Sequence, residues 1–351
     1  MKIVHIVWGM ETGGIETMLV NIANEQSSFG NEVNVIIINN LINDELIEQF
    51  NKGIKLHKIN RPIKSRNPYY IYLLNRKIGK INPDVIHIHE TSISKYVFGR
   101  KSKKKLCVTV HDLLTPPNSK SIYKSGKIFA ISNIVKDDIN KKFGIDSTVV
   151  YNGIKVSNIV PKDDYAILDL FNIVQVGRLN HEIKGQDLLI KAAKLLLESD
   201  IKDFHVTFIG EGPSYNYLTN LVAELNLADY ISFIGSKSQQ FIFKNISNYH
   251  LLVQPSRNDG FGLTVAEAMA AKVPTLVSNN QGAMEVVDGG RLGYLFESNN
   301  EKDLAEKIKS IKFNYPDMNI INEGYKHTKE EFSVESTAEK YLNYYKELNR
   351  I

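Results

Sequence analysis

The stretch from His250 to Glu285 constrains the fold more than any other part of the 351-residue sequence. A short apolar run, His250–Val253, has the length of a buried strand and is followed by Pro255 and a glycine-containing loop. A helical pattern then runs from about Leu263 to Lys272, and a second apolar run follows at Pro274–Val277. Strand, glycine loop, helix and strand in this order predict a crossover unit of a parallel sheet, which binds ligands at the carboxyl ends of its strands.

The loop of this unit has the features of a ligand site. Gly260 and Gly262 allow the backbone to approach a ligand closely, and the following helix directs unpaired N–H groups toward the same point. Asp259 and Glu267 stand eight residues apart, so their carboxylates can contact two different parts of an extended ligand. These features predict a site for a phosphate or for sugar hydroxyls. The alternative is an ordinary strand-to-helix turn with two solvated carboxylates.

Length and composition narrow the class of protein. A chain of 351 residues is longer than one hydrophobic core usually serves, which predicts two domains. The single cysteine, Cys107, lies in an apolar run, so no disulfide is expected and a reducing compartment is favoured. A net charge of +4 gives no support to nucleic-acid binding. The first apolar run is too short for a signal peptide, and no run approaches membrane-spanning length.

Short apolar strands alternate with helical segments through the first half of the chain. The predicted strands are Lys2–Trp8, Val33–Ile38, Ile54–Ile59, Asp84–His89, Lys105–Val110, Lys127–Ile131 and Thr148–Tyr151. This alternation is typical of a doubly wound α/β domain. The first loop carries Gly13 and Gly14 without the spacing of the dinucleotide fingerprint, so a nicotinamide cofactor is not favoured. Gly14 either donates backbone N–H groups to an anion or is a turn glycine with no ligand.

Histidines occur at the ends of two predicted strands. His111 follows Val110 and is expected to face the ligand crevice, where it can donate to a sugar hydroxyl or to a developing charge. The alternative is a histidine beside a helix cap. His87 and His89 alternate on one strand and therefore face the same side. Such a pair can bind a metal, but no carboxylate or cysteine cluster accompanies it, so we interpret both as core or crevice-lining residues.

Basic residues gather between Arg61 and Lys80 around a run of tyrosines. Pro68 can open a helix there, and Arg76, Lys77 and Lys80 fall on it together with apolar side chains. A basic, tyrosine-bearing amphipathic helix suits the surface of an anionic membrane. We therefore expect membrane contact at these three cations; the alternative is a solvated charged face.

The alternation of strand and helix restarts after a boundary near Tyr151–Ile154. Predicted elements include strands at Phe171–Val176, His205–Ile209 and Tyr230–Ile234, helices at Gln186–Leu197 and Tyr215–Asn226, and a final helix at Val334–Leu348. Arg178 and Lys184 both lie just beyond the strand that ends at Val176, next to glycines. Arginine offers a planar fork of donors and lysine a mobile point charge, so together they suit a diphosphate.

Seven short motifs occur in order along nearly the whole chain. They are Gly13–Glu16, His111–Asp112, Asn152–Ile154, Gly177–Gly185, Gly210–Pro213, Pro255–Ala268 and Gly282–Glu285. In their order and spacing they resemble the motifs of the retaining GT-B glycosyltransferases of family 4, also called glycosyl transferases group 1.

The resemblance implies an α/β fold of GT-B type. This fold has two Rossmann-like doubly wound domains facing a central cleft, with the C-terminal helix crossing back to the first domain. The implied boundaries are 1–155 for an acceptor-binding domain, 156–330 for a nucleotide-sugar-binding domain and 331–351 for the C-terminal helix.

The resemblance also implies which residues act on the donor. By motif position, the catalytic residues would be His111, Arg178, Lys184 and Asp259. The donor contacts would come from Gly14, Arg178, Lys184, Gly260, Phe261, Gly262, Leu263 and Glu267. Within this set the two cations would contact the diphosphate and Glu267 the ribose hydroxyls. The family usually has Glu where Asp259 stands, which shortens the reach of the carboxylate by one methylene and bears on sugar choice. Lys272 stands where the family commonly has Gly, and Gln281 replaces the first glycine of a common Gly-Gly pair; both put details of the donor pocket in question.

The expected activity is retaining glycosyl transfer without a metal ion or other cofactor. A hexose or N-acetylhexosamine would pass from a nucleoside-diphosphate sugar, with UDP favoured, to a growing, lipid-linked bacterial surface glycan of O-antigen, capsule or exopolysaccharide type. The expected location is the cytoplasm, at the inner face of the cell membrane. Two alternatives stay open: a nucleotide-sugar epimerase of the same fold, and a non-catalytic nucleotide-sugar-binding protein.

Overall fold

The computed structural model describes residues 1–11, 13–113, 125–279 and 282–348. The chain divides into two compact units. The first contains Met1–Ile154 and the segment from Phe332 onward, and the second contains Lys155–Glu331. Each observed boundary differs by one residue from the boundary expected from the sequence.

The first unit is built on a seven-stranded parallel sheet with strand order β3-β2-β1-β4-β5-β6-β7. Its strands are β1 (Lys2–Val7), β2 (Glu32–Asn39), β3 (Lys55–Arg61), β4 (Val85–Ile88), β5 (Leu106–Val110), β6 (Lys127–Ala130) and β7 (Thr148–Val149). Its helices before the boundary are α1 (Gly14–Ser28), α2 (Asp44–Ile47), α3 (Tyr69–Ile81), α4 (Arg100–Lys104) and α5 (Asn133–Phe143). Strands β1 and β5 are buried along almost their whole length, which agrees with their mostly apolar sequences and with a parallel sheet buried on both faces.

The second unit has a six-stranded parallel sheet with strand order β10-β9-β8-β11-β12-β13. Its strands are β8 (Phe171–Val176), β9 (Phe204–Ile209), β10 (Ile231–Phe233), β11 (Leu251–Gln254), β12 (Thr275–Ser278) and β13 (Tyr294–Phe296). Its helices are α6 (His181–Lys184), α7 (Gln186–Glu198), α8 (Tyr215–Glu224), α9 (Gln239–Asn245), α10 (Leu263–Ala270), α11 (Gly282–Val286), α12 (Glu301–Phe313) and α13 (Met318–Glu331).

The final helix, α14 (Val334–Leu348), completes the core of the first unit. Tyr341 and Tyr345 are fully buried there, and the Tyr341 hydroxyl lies 3.0 Å from Oγ1 of Thr109 on β5. Gly153 allows the close approach of this helix, because an added Cβ would lie 2.6 Å from Cα of Val334. The C-terminal helix therefore packs on the first domain, as the resemblance implied.

The predicted fold class is confirmed: both sheets are parallel, and each is doubly wound with its strand order reversing at a central point. The short strand β13 and the helices α12 and α13 were not among the sequence predictions. In the described part of the chain, no helix is long and apolar enough to cross a membrane.

The structure places Lys272, one of the departures from the family pattern, just beyond the end of α10, and Gln281 lies outside the described residues. The helix predicted to reach it ends two residues earlier, at Ala270. Lys272 has a left-handed backbone conformation (φ 56°) just beyond that end, and its carbonyl accepts a hydrogen bond from the Tyr165 hydroxyl at 3.2 Å. Glycine is favoured at such a position because it adopts the left-handed conformation that ends a helix without steric strain. The replacement of the family's glycine by Lys272 therefore affects how α10 ends.

Candidate functional site

The strand order of the second sheet reverses between β8 and β11, and the loops after these two strands meet there. The backbone N–H of Arg257 donates to the carbonyl of Ile183 at 2.8 Å. Gly185 has a positive φ of 67°, and an added Cβ would lie 2.0 Å from the carbonyl oxygen of Pro255. Only glycine permits this approach, so the two loops form one continuous surface at the carboxyl edge of the sheet.

Lys184 and Asp259 form an ion pair at this junction. Nζ of Lys184 lies 2.7 Å from Oδ2 of Asp259, and their side chains are 25% and 12% exposed. Nε2 of Gln254 and Oγ of Ser256 also donate to the same oxygen, each at 3.3 Å. The sequence predicted that both residues belong to the site, but it did not predict that they pair with each other.

Arg178 is exposed directly beyond the end of β8. Its main-chain carbonyl accepts from the Asn180 N–H at 2.9 Å and from Nε2 of Gln186 at 3.0 Å. Among the residues that the structure describes, its guanidinium forms no ion pair. The five donors of this group are therefore accessible to an anion from solvent.

The glycine loop leads into the N-terminus of α10. Gly262 is left-handed (φ 98°) and precedes Leu263, the first residue of the helix, where no side chain caps the N–H groups. Such an uncapped N-terminus favours an anion through its N–H groups and the helix dipole. Phe261 is 2% exposed, so its side chain belongs to the core. The backbone of Gly282 packs against the carbonyl of Gly260. A Cβ added at Gly282 would lie 2.4 Å from the carbonyl oxygen of Gly260.

Glu267 lies in the second turn of α10 and is 7% exposed. Burial raises the pKa of its carboxyl to about 7, and a hydrogen bond from Nε2 of Gln239 at 3.5 Å opposes that shift. A carboxyl group with this pKa is half protonated near neutral pH when no ligand is present. A pair of sugar hydroxyls would supply the donors that its charged form lacks.

Arg257 and Asp187 brace the two loops, and sequence reasoning did not assign either residue. Nη1 and Nη2 of Arg257 lie 2.7 and 2.9 Å from the two carboxylate oxygens of Asp187, which is a bidentate pair. Nη1 also donates to the carbonyl of His181 at 2.6 Å. Arg257 stood in the quoted loop, but no local pattern links it to a partner 70 positions away.

In the first unit, His111 follows β5 and Gly14 begins α1, as predicted. Burial lowers the pKa of His111 to about 4, so the imidazole is neutral at pH 7 and can only donate a hydrogen bond or accept one. Its Nε2 has no hydrogen-bond partner among the described residues. The cap residue Gly13 is extended and offers no side-chain cap to α1.

His87 and His89 are fully buried, which confirms that they are core residues. A third histidine, His5, lies beside them. One ring nitrogen from each of the three histidines lies within 4.8 Å of those of the other two. Nδ1 of His5 lies 3.0 Å from Nε2 of His89, and the two nitrogens of His87 lie 2.5 and 2.7 Å from hydroxyls of Tyr345 and Thr109. Burial lowers all three pKa values, so these are neutral, hydrogen-bonded rings.

The three predicted membrane contacts lie on α3. Arg76 and Lys80 are exposed, and Lys77 is partly buried near His57, whose pKa it helps to lower. Tyr69 and Tyr72 on the same helix are 55% and 59% exposed. The helix packs its opposite face through the buried Leu74 and Ile78.

Sequence profiles of two families match the two halves of the chain. "Glycosyltransferase Family 4" matches residues 12–158 and "Glycosyl transferases group 1" matches residues 164–327. An uncharacterized glycosyltransferase of Methanocaldococcus jannaschii is 31% identical over 326 residues, which cover 87% of this chain and 88% of the relative. N-acetyl-alpha-D-glucosaminyl L-malate synthase of Bacillus anthracis is 24% identical over 81% of each chain.

The fold recurs in solved structures of other proteins. The structure of Anabaena HepE in complex with UDP and glucose superposes with a TM-score of 0.81 at 19% identity, over 99% of this chain and 100% of that one. A glycosyltransferase of Rickettsia africae gives a TM-score of 0.82 at 22% identity, over 99% and 98% of the two chains. These neighbours share the GT-B fold.

The raised pKa of Glu267 makes a prediction about stability. Between the unfolded value of 4.5 and the folded value of about 7, the unfolded state has released a proton that the folded state retains. The free energy of unfolding of the wild type should therefore fall as pH rises through this window, by about 3 kcal/mol at most. The Glu267→Gln variant has no carboxyl group that titrates at this position. Its free energy of unfolding, measured by urea denaturation without ligand, should therefore rise relative to that of wild type between pH 4.5 and 8.

Glu306→Gln, at an exposed carboxyl on α12, is the matched control for the loss of one carboxyl group. A difference between Glu267→Gln and wild type that stays constant from pH 4.5 to 8 would contradict the assignment.

Proposed function

The chain belongs to the family 4 glycosyltransferases, also described as glycosyl transferases group 1, and we propose that it transfers a hexose or an N-acetylhexosamine from a nucleoside-diphosphate sugar with retention of anomeric configuration. The observation that carries this proposal is the Lys184–Asp259 ion pair, 2.7 Å long, beside the exposed Arg178 and the uncapped N-terminus of α10. This arrangement combines cations for a diphosphate with a carboxylate for sugar hydroxyls. We assign donor binding to the second unit and acceptor binding to the first.

The diphosphate leaving group needs electrostatic stabilisation during the reaction. As the bond between the anomeric carbon and the diphosphate oxygen breaks, negative charge grows on the diphosphate and positive charge on the sugar carbon. Arg178, Lys184 and the N–H groups at the start of α10 stabilise the growing negative charge where it develops. We propose that these groups perform this role in place of a metal ion. The departing phosphate oxygen then accepts the proton of the acceptor hydroxyl on the same face of the sugar.

Asp259 serves the transferred sugar in this proposal. Three donors already converge on its Oδ2, so the carboxylate has a defined orientation before the donor binds. It has one methylene fewer than the glutamate usual in the family, which favours a sugar hydroxyl that lies closer to the loop. We assign it a positioning contact with the sugar and no role as a covalent nucleophile.

Glu267 and His111 bind as hydrogen-bonding groups. The buried carboxyl of Glu267 accepts hydrogen bonds from the ribose hydroxyls, which replaces the water it lost on burial. His111 is neutral because burial lowers its pKa to about 4, so it donates a hydrogen bond to the substrate without adding charge. Gly14 contributes backbone N–H groups at the start of α1.

UDP is the favoured nucleotide, and a lipid-linked bacterial surface glycan of O-antigen, capsule or exopolysaccharide type is the favoured acceptor. The similar HepE structure contains UDP and glucose, and the Bacillus anthracis relative is named for transfer of N-acetylglucosamine. A lipid-linked acceptor places the enzyme in the cytoplasm at the membrane, which agrees with one buried, unpaired cysteine, Cys107. The exposed tyrosines and cations of α3 supply a surface for that contact.

Neutralising the donor cations tests the catalytic proposal. Arg178→Gln and Lys184→Gln should each lower kcat/KM for UDP release from UDP-glucose or UDP-N-acetylglucosamine by about a hundredfold or more, because each removes a donor to the leaving group. Lys307→Gln, at an exposed lysine on α12, is the matched control and should keep wild-type turnover. Wild-type turnover in both site variants would refute the proposed roles.

Membrane contact is tested by flotation with liposomes that contain anionic lipid. The variant with Arg76, Lys77 and Lys80 all changed to Gln should bind the liposomes about a hundredfold more weakly than wild type at low salt, since each cation near an anionic surface contributes about 1 kcal/mol. The control changes three lysines of α12, Lys302, Lys307 and Lys309, to Gln. Equal flotation of the α3 variant and wild type would remove this part of the proposal.

A further inference from the structure

Three glutamines are buried around the loops after β8 and β11. Gln175 is the fifth residue of β8, Gln186 begins α7 and Gln254 ends β11, and their exposed fractions are 2%, 0% and 2%. Glutamine is mostly an exposed residue, because burial of its amide costs free energy unless both ends are hydrogen-bonded. In the described part of the structure, the Oε1 atom of each has no hydrogen-bond partner.

Each glutamine amide donates to one of the three residues assigned to the donor. Nε2 of Gln186 donates to the carbonyl of Arg178 at 3.0 Å. Nε2 of Gln175 donates to the carbonyl of Lys184 at 2.8 Å. Nε2 of Gln254 donates to Oδ2 of Asp259 at 3.3 Å and to Oγ of Ser256 at 2.9 Å, and this hydroxyl donates to the same Oδ2 at 3.3 Å. Carbonyl and carboxylate oxygens can only accept hydrogen bonds, so these contacts determine which way each amide is oriented.

The cost of these contacts argues against a role in packing alone. A leucine or methionine would fill each position without leaving a buried carbonyl oxygen unpaired. The amide group is useful only for the hydrogen bond that it donates. Each hydrogen bond restrains the position of one site residue from the buried side. The bond is stronger there than in water, because its surroundings are buried.

We propose that Gln175, Gln186 and Gln254 are positioning residues for the donor site: the first two set the main chain at Lys184 and Arg178, and the third sets the carboxylate of Asp259. The inference rests on the proposed function, in which these three residues contact the nucleotide sugar. None of the glutamines touches substrate. Each acts through the residue to which it donates.

The two kinds of contact have different consequences for binding and turnover. Gln175 and Gln186 act on residues that bind the diphosphate, so their loss should weaken the binding of UDP itself. Gln254 acts on the carboxylate that binds the sugar, so its loss should slow turnover and leave UDP affinity nearly unchanged. A general loss of stability would lower UDP affinity in all three variants alike.

The experiment compares Gln175→Met, Gln186→Met and Gln254→Met with wild type. UDP affinity is measured by calorimetry, and UDP release from UDP-glucose and UDP-N-acetylglucosamine gives kcat and KM. The first two variants should bind UDP about tenfold more weakly, and Gln254→Met should bind it within about threefold of wild type. All three should lose about tenfold or more in kcat/KM, with the loss in Gln254→Met mainly in kcat.

Gln26→Met is the matched control. Gln26 is another fully buried glutamine, in α1 of the first unit, where its Oε1 lies 2.8 Å from Nε2 of His5. Its loss should lower the melting temperature without changing UDP affinity. Melting temperatures of all variants are measured, and Gln→Asn variants, which keep the amide on a shorter side chain, replace any methionine variant that does not fold.

The outcomes separate this inference from the proposed function. In one outcome, wild type and all three glutamine variants release UDP equally well and the Arg178→Gln variant does not. The proposed function then stands, and the glutamines have no positioning role. UDP affinities that fall in all three in proportion to melting temperature would also overturn the inference. If wild type neither binds UDP nor turns over a nucleotide sugar, both proposals fail.

Discussion

The close contact between the two loops that follow β8 and β11 is the constraint on which the candidate site depends. Glycine at position 185 permits it, and the bidentate Arg257–Asp187 pair ties the second loop to the start of α7. The Lys184–Asp259 ion pair then forms across the same junction. A cation and a carboxylate from distant parts of the chain thereby lie side by side at the carboxyl edge of the sheet, where doubly wound folds bind their ligands.

Burial sorts the ionisable groups of the two units into charged and neutral ones. Lys184 and Asp259 keep partial solvent contact and form an ion pair 2.7 Å long. Glu267 and His111 are desolvated without an opposite charge, so the pKa of the acid rises to about 7 and that of the imidazole falls to about 4. The second unit thus has an ion pair at the carboxyl edge of its sheet and a buried carboxyl in α10, and the first unit has a neutral imidazole after β5.

The sequence predicted the fold well where burial produces a simple pattern. Phe171–Val176 and Val334–Leu348 were predicted to the residue, because a buried parallel strand is continuously apolar and an amphipathic helix repeats its apolar positions. The strand β13 has three residues of which only Phe296 is buried, so it leaves no comparable signal. The helix α12 was missed although Leu304, Ile308 and Ile311 are buried at helical spacing, whereas the buried residues of α13 are Ile321, Gly324 and Thr328, only one of which is apolar.

Motif order predicted which residues gather in the second unit, but not how they contact one another. Arg257 and Asp187 are 70 positions apart, and nothing in a local pattern marks a surface-type arginine as a brace between loops. The same holds for Gln175, one residue before the end of β8, and for Gln254, the last residue of β11, because a polar residue near the end of an apolar strand gives no sign of its partner. Residues that become partners only through tertiary contacts produce no periodic pattern in the sequence, so the folded structure is needed to identify them.

The central claim is that the second unit binds a diphosphate through its cations and the N-terminus of α10. Calorimetric titration of the wild-type protein with UDP, UMP and uridine tests it most directly, because the three ligands differ only in phosphate. The account predicts that UDP binds at least about tenfold more tightly than UMP, since the second phosphate adds charge-assisted hydrogen bonds. Equal affinity for UDP and UMP would contradict it.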